Sequence, residues 1–390
     1  MGGNVENEQA VDFRLTDEMK MLRQSVRDFA VAEILPRVMA LDEAQEFPAA
    51  IVKKMGELGY LGVTIPPELG GAGLSPIHFV LVMEEISRVD PSMGLTLAAH
   101  SGLCLQHISI FGNEEQKKRY VPGLATGESI GSWCLTEPGS GSDASGMKTF
   151  ARRDGDSYVL SGSKIFITNG TYASTYVVMA KTDIAKGTKG ISAFIVERSM
   201  KGVGAGKKEN KLGMRASDTV AIVFDEVRVP KENLLGVEGE GFKQALVVLD
   251  SGRIGIAALS VGLAQGALDA AVKYAKERLA FGKPIAEFQG IQFKLADMAT
   301  GVQAARLLTY RAAMAKQSGE PINQIAAQAK LYASEVAQRV ATESVQIHGG
   351  YGFIKDFPVE KFYRDVKLLT IGEGTSEVQK LVISKNLLQL

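Results

Sequence analysis

Glu373 is a lone carboxylate between two glycines, in the stretch Thr370-Ile371-Gly372-Glu373-Gly374-Thr375-Ser376-Glu377-Val378-Gln379. The glycines permit unusual dihedrals and let a large ligand approach the backbone. Ser376, with Gln379 three residues on, makes a capping-box pattern before an apolar run, so a helix is expected to start there. A carboxylate on a loop that feeds a helix N-terminus, where backbone N–H groups are unpaired, can act as a general base. The same residues also suit a solvated loop, and the stretch alone leaves both readings open.

Four other stretches carry residue types that could bind or react. Thr136 to Asp143 is dense in hydroxyls, glycines and backbone N–H groups, suited to phosphate or to the polar edge of a heterocycle. It lacks the Gly-Lys-Ser/Thr of a Walker A loop and the third glycine of a dinucleotide fingerprint, so it reads equally as a connector. Phe166-Ile167-Thr168-Asn169-Gly170 sets a ring and a hydroxyl before a tight turn, as a flat cofactor or a simple hairpin would require. Asp250-Ser251-Gly252-Arg253 places a guanidinium in an apolar helix, where it needs a partner. Arg278 and Gln289 bracket Phe281-Gly282-Lys283-Pro284, a loop that could project from the helices. Lys207, Lys208 and Lys211 fit a solvated loop.

The elements that must position these residues fall into three regions. Residues 1–125 read as a helical domain after a loose tail at 1–10. Its helices are expected from Asp17, over Phe47 to Leu58, Ile77 to Val89, Leu95 to Ile110 and Glu114 to Tyr120. Pro36 marks a break or kink, and Pro122-Gly123 halts the last helix. Residues 126–240 carry short β-rich runs separated by turns, with no long helical pattern between them. That spacing predicts an antiparallel barrel or sandwich, and a barrel is the fold expected. Residues 241–390 are helical, over 242–279, 289–318, 322–347 and 377–388, and predict a four-helix bundle. The fold class is mainly α with a β insert.

Composition narrows the functions. Of 390 residues, 45% are hydrophobic and 23% charged, ordinary for a soluble protein with sizeable cores. Lys+Arg and Asp+Glu are both 44, and a protein devoted to nucleic acid or anionic membrane would usually be basic. No signal-peptide core and no apolar run of membrane-spanning length stand out. Cys104 and Cys134 are too few for a disulfide scaffold, and the four histidines make no metal-ligand spacing, so no metal is expected. A cytoplasmic location follows, or the mitochondrial matrix in a eukaryote.

Taken in order, these stretches resemble the acyl-CoA dehydrogenase family, and its short-chain, butyryl-CoA type most closely. The likeness runs from about residue 13 to 390. It rests on Leu135-Thr136-Glu137-Pro138-Gly139 with Gly141-Ser142-Asp143, on Gly162-Ser163-Lys164 with Ile167-Thr168-Asn169, and on Lys211-Leu212-Gly213-Met214-Arg215. Arg278 with Phe281-Gly282, Gln346-Ile347-His348-Gly349-Gly350-Tyr351-Gly352, Tyr363-Arg364-Asp365 and Glu373-Gly374-Thr375-Ser376 complete it. The resemblance implies FAD between the β domain and the bundle. Trp133, Leu135, Thr136, Gly141 and Ser142, with Phe166, Ile167 and Thr168, match flavin-binding segments. Arg278, Phe281, Gln289, Gln346, Gly349 and Gly350 match contacts to flavin across a subunit interface, which implies a homotetramer built as a dimer of dimers. Thr375 and Glu377 match positions near the cofactor. Ser142, Asp250, Arg253 and Gly374 match positions near acyl-CoA.

The reaction implied is α,β-dehydrogenation of a short-chain acyl-CoA to the trans-2-enoyl-CoA. Glu373 would take the α proton and flavin N5 the β hydride, with electrons passing to an electron-transfer flavoprotein. Some relatives carry the base just before the arginine of the long helix, where this chain has Gly252. Phe166 replaces a common Trp, and Gly372 a common Tyr. The second change suggests a pocket open to branched or cyclic acyl groups. An oxygen-using oxidase and a non-catalytic binding protein are the rival readings within this fold. A glutaryl-type decarboxylation lacks a cation on Met93 to Leu105 to hold the distal carboxylate.

Overall fold

The computed structural model describes residues 13–389. The tail expected at 1–10 lies outside the described residues. The first region is built from α1 (Asp17–Phe29), α2 (Val38–Ala44), α3 (Ala49–Glu57), α4 (Pro76–Val89), α5 (Pro91–Leu97), α6 (Gln106–Phe111) and α7 (Glu114–Thr126). Thr16 caps α1 by accepting from the Met19 N–H. Around Pro36, α1 passes through a π turn and a 3₁₀ turn into α2, a kink without a gap.

The expected stop at Pro122-Gly123 is not observed. α7 runs through Pro122 to Thr126 and ends at Gly127, whose φ of +77° is the left-handed cap. Proline deprives the Lys118 carbonyl of its partner, but Lys118 is exposed, so water can satisfy that group. Between α5 and α6 the chain stays helical as a π-helical stretch, Ala98–Leu105. Such bulges gather at functional sites.

The middle region holds β1 (Gly131–Cys134), β2 (Phe150–Asp154), β3 (Ser157–Thr168), β4 (Thr175–Lys181), β5 (Ile191–Glu197), β6 (Val203–Lys208), β7 (Thr219–Pro230) and β8 (Leu234–Leu235). They form one sheet in the order β6-β7-β3-β2-β4-β5-β8, with β1 beside β4. The expected closed antiparallel barrel is corrected to an open, mixed sheet. β1 runs parallel to β4, and β2 meets β4 at a single pair, Phe150 and Lys181. The end strands β6 and β8 do not pair with each other: β8 has two residues, and β6 is glycine-rich, mostly exposed and closed by lysines. β3 pairs with β7 and β2 instead of with β4, its successor in the chain, and closure depends on how far apart the edges finish.

The last region opens with α8 (Gly241–Glu277), a hairpin of β9 (Leu279–Ala280) and β10 (Lys283–Pro284), α9 (Gln289–Gln317), α10 (Asn323–His348), α11 (Pro358–Asp365) and α12 (Ser376–Leu388). α8, α9 and α10 pack on one another and α12 packs on α10. α8 is apolar and long enough to cross a membrane by length alone, but 72% of its most apolar stretch is buried inside the fold, as a core helix would be. One continuous core joins α4, α8, α9 and α10. The connection 348–376 contains α11. Its Lys361, fully buried, bonds Asp90 at 2.7 Å and Asp365 at 2.5 Å.

Candidate active site

The Glu373 loop bends through two successive left-handed residues, Glu373 at φ +51° and Gly374 at φ +91°. For a non-glycine residue this costs about 1–2 kcal/mol, so the surroundings must impose it. Two buried side chains do. Lys330 of α10 donates to the Gly374 carbonyl at 2.6 Å, and Gln379 of α12 donates to the Gly374 and Glu373 carbonyls at 2.8 and 3.3 Å. Helix α12 starts at Ser376 as expected, but its cap is Thr375, which accepts from the Val378 N–H at 3.3 Å. Gln379 is therefore no capping-box partner and turns back to the loop.

The carboxylate of Glu373 points at α8. Its Oε2 is buried and has no hydrogen-bond partner. A Cβ placed on Gly252 would stand 2.4 Å from Oε2 and 2.9 Å from Cδ2 of Leu103 on the π-helical stretch. Glycine is thus what lets α8, the π-helical stretch and the Glu373 loop converge. Arg253, buried on the next position of α8, pairs with Asp250 at 2.5 Å, and Asp250 also accepts from Asn323 at 2.9 Å. Burial raises the Glu373 carboxyl to about 7, while the charges of Lys330 and Arg253 pull it down. A carboxylate held near neutrality, with a free oxygen in a desolvated spot, is suited to take a proton from carbon.

The second group of expected residues borders the same π-helical stretch from the sheet side. Trp133 and Leu135 are buried in a core shared with Leu103. The Trp133 indole donates to Nδ1 of His107 at 2.9 Å, and the His107 Nε2–H donates to Gln244 at 3.0 Å. His107 is thereby a neutral tie, and burial lowers its pKa to about 4. The Thr136 to Asp143 loop is braced by buried Glu137, which pairs with Lys164 at 2.8 Å and accepts from the N–H groups of Lys148 and Thr149. A Cβ at Gly139 or Gly141 would touch nothing within 4 Å, and Ser142 is exposed. Pairing of β3 with β7 slips between Lys164 and Ile167, where Phe166 takes φ +59°. This bulge turns the Phe166 ring outward, 61% exposed, instead of into the sheet. Ile167 lies with its side chain in the sheet core, so only its backbone can meet a ligand; Thr168 is half-buried.

The third group lies at the far end of α8. Arg278, Gly349 and Gly350 line a cavity of ≈ 520 Å³ with Tyr274, His348 and Tyr351. The Arg278 guanidinium stands 5.3 Å from the Tyr351 ring centre. Phe281 and Gly282, both at positive φ, form the two-residue turn of the β9–β10 hairpin, and Phe281 is 96% exposed. Gln289, Gln346 and Glu377 are exposed and do not line that cavity. Lys208 and Lys211 are partnered by the carbonyls of Gln45 and Ser217.

The sequence reading missed Lys330, Gln379 as a loop clamp, and Leu103. A signal existed for Lys330: it interrupts the buried alanine stripe Ala326, Ala329, Ala333 and Ala337 of α10. No cluster of metal-ligating side chains occurs among the described residues.

Open glycine loops, outward aromatic rings and an arginine that shares a cavity with a glycine pair suit a long ligand with flat rings and phosphates. The N-terminal, middle and C-terminal domain profiles of acyl-CoA dehydrogenases match residues 16–128, 132–227 and 239–388. A short-chain specific acyl-CoA dehydrogenase of Clostridium acetobutylicum is 50% identical over 374 residues, 96% of this chain and 99% of its own length. Butyryl-CoA dehydrogenase from Megasphaera elsdenii superposes with a TM-score of 0.95 at 44% identity, over 97% of this chain and all of that one. A chain from a structure described as the electron transferring flavoprotein of Acidaminococcus fermentans superposes at 0.96 with 49% identity, with the same coverage. With all three domain profiles matched and about half of the residues shared with short-chain enzymes, this chain belongs to the acyl-CoA dehydrogenase family of FAD-dependent oxidoreductases.

Proposed function

We propose that the chain dehydrogenates a short, straight-chain acyl-CoA thioester to the trans-2-enoyl-CoA, with Glu373 as the base. The observation that carries this is the buried, unpartnered Oε2 of Glu373 facing the space that Gly252 leaves. An ordinary glutamate is a weak base, because it protonates only near pH 4. Burial brings Glu373 to about 7, closer to what abstraction of a proton beside a thioester demands. The α C–H bond breaks and its proton goes to Oε2. Bound FAD supplies the two-electron acceptor for the β hydride. Arg253 and Lys330 keep positive charge beside the carboxylate, so the ionised form survives desolvation. Asp250, Arg253, Gly374 and Ser142 border the thioester and its CoA.

Trp133, Leu135, Thr136, Gly141, Ser142, Phe166, Ile167 and Thr168, with Thr375 and Glu377, hold the cofactor next to this base. Arg278, Phe281, Gln289, Gln346, Gly349 and Gly350 hold the cofactor of a second subunit. Arg253 and Arg278 are 25 residues apart on one helix and its cap, about 37 Å at 1.5 Å per residue. That span exceeds one dinucleotide, which supports a homotetramer whose sites are shared between chains. An electron-transfer flavoprotein is the proposed acceptor, supported by the likeness to the Acidaminococcus chain.

A second substrate reading has its own observation. A Cβ at Gly372 would meet only Leu368 atoms at ordinary distances of 3.5–3.7 Å, so the fold does not demand glycine there. The space it leaves suits a branched or cyclic acyl group. The deciding experiment is anaerobic mixing of the FAD-loaded protein with butyryl-, 2-methylbutyryl- and cyclohexanoyl-CoA. Bleaching by butyryl-CoA is expected, and no bleaching by any of the three would refute the proposal. Bleaching by the bulky thioesters alone would transfer it to the second reading.

A further inference from the structure

We infer that Lys330 is a positioning residue for Glu373, holding the loop by the Gly374 carbonyl and facing the base with a compensating charge. This rests on the reading of Glu373 as the base. Lys330 is 0% exposed in the middle of α10. A lysine so placed ordinarily needs a carboxylate on its ammonium. Here the hydrogen bond goes instead to a backbone carbonyl, 2.6 Å away, on the residue after the base. The ionisable groups that act on it are Glu373, Arg253 of α8 and Glu377 at the start of α12. Arg253 already has Asp250, which Asn323 also bonds, and Glu377 is exposed. Glu373, with its Oε2 buried, is therefore the carboxylate whose charge Lys330 answers.

Two jobs are combined in one side chain, and Gln379 allows them to be separated. Gln379 donates to the same Gly374 oxygen at 2.8 Å and to the Glu373 oxygen at 3.3 Å, but it is neutral. Both residues hold the left-handed pair Glu373-Gly374 in place, yet only Lys330 adds charge. Burial lowers Lys330 itself to about 8, so its cation fades above that pH and the support it lends Glu373 fades with it.

The test compares Lys330→Met, Lys330→Gln and Gln379→Met in the FAD-loaded protein. The Glu373 ionisation is read without substrate, by carbon-13 NMR of protein labelled at the glutamate carboxyl, with Glu373→Gln identifying the signal. Flavin bleaching by butyryl-CoA is followed in parallel from pH 5.5 to 9. Lys330→Met is expected to raise the Glu373 midpoint by about one pH unit, because a nearby cation has gone. Bleaching at pH 7 then falls at least fivefold or so from ionisation alone. Lys330→Gln keeps a donor and loses the charge, so it gives the same upward shift even if the Met variant does not fold. Gln379→Met is expected to slow bleaching with the midpoint unmoved. An unchanged midpoint in both Lys330 variants overturns the inference. A shifted midpoint in a protein that butyryl-CoA never bleaches, even as wild type, overturns the dehydrogenase reading and leaves the Lys330–Glu373 pairing standing.

Discussion

The side chain proposed as the base is Glu373, and its environment makes opposite demands on activity and stability. Burial raises its carboxyl from 4.5 to about 7, so the folded chain binds a proton that the unfolded chain has released between those values. The stability this group contributes is fully present below about pH 4.5 and is lost as pH rises through 7. Base strength is gained over the same window. Glu373→Gln is expected to abolish flavin bleaching while thioester binding, followed by isothermal titration, is kept. The same variant should melt higher than wild type at pH 8, and the gap should close at pH 5; a constant gap would mean the carboxylate is not desolvated. Gly252 is the complementary residue. Gly252→Ala forces its new Cβ against Oε2 and should slow bleaching roughly ten- to a hundredfold, since misplacing the base by about 1 Å is that costly.

Among elements, the connection 348–376 and the β3 bulge matter most, because each aims a residue that its own local sequence would not. Lys361 anchors α11 between two buried aspartates, and Asp365 in turn accepts from the Met214 N–H at 2.5 Å. Lys361→Met leaves Asp90 and Asp365 buried without their cation. About 3–5 kcal/mol of stability should be lost, measurable by urea denaturation. The bulge at Phe166 predicts a milder result. Phe166→Gly suits φ +59° better than phenylalanine does, so the fold should be kept. The outward ring is lost, however, and FAD should dissociate more readily, as read by recovery of free flavin fluorescence on dilution.

Across the whole molecule, α8 separates the Glu373 site from the Arg278 cavity by most of its length. If each FAD lies between the Glu373 side of one chain and the Arg278 side of another, damage to the two ends can be complemented. Arg278→Ala homomers and Glu373→Gln homomers should each bleach poorly. Dissociated, mixed and reassembled, they should recover up to a quarter of wild-type bleaching, because one intact pairing of ends in four arises by random mixing. No recovery in mixed assemblies proven by mass spectrometry would mean that each chain holds its cofactor alone.

Local patterns settled much of this protein in advance. Helices whose apolar positions recur every three or four residues and the run of β segments between two helical regions follow from period and turn chemistry. Glu373 between glycines stood out for the same reason, while Gly252 gained meaning only from the family resemblance, as the position where some relatives carry their base. The tertiary structure alone decided the rest. Whether the sheet closes depends on its edge strands, and β6 and β8 do not pair with each other. Whether Glu373 is a solvated loop residue or a base depends on burial, which Leu103, Gly252 and Lys330 impose from three other segments. Desolvation and charge act through space, so no stretch of ten residues can contain them.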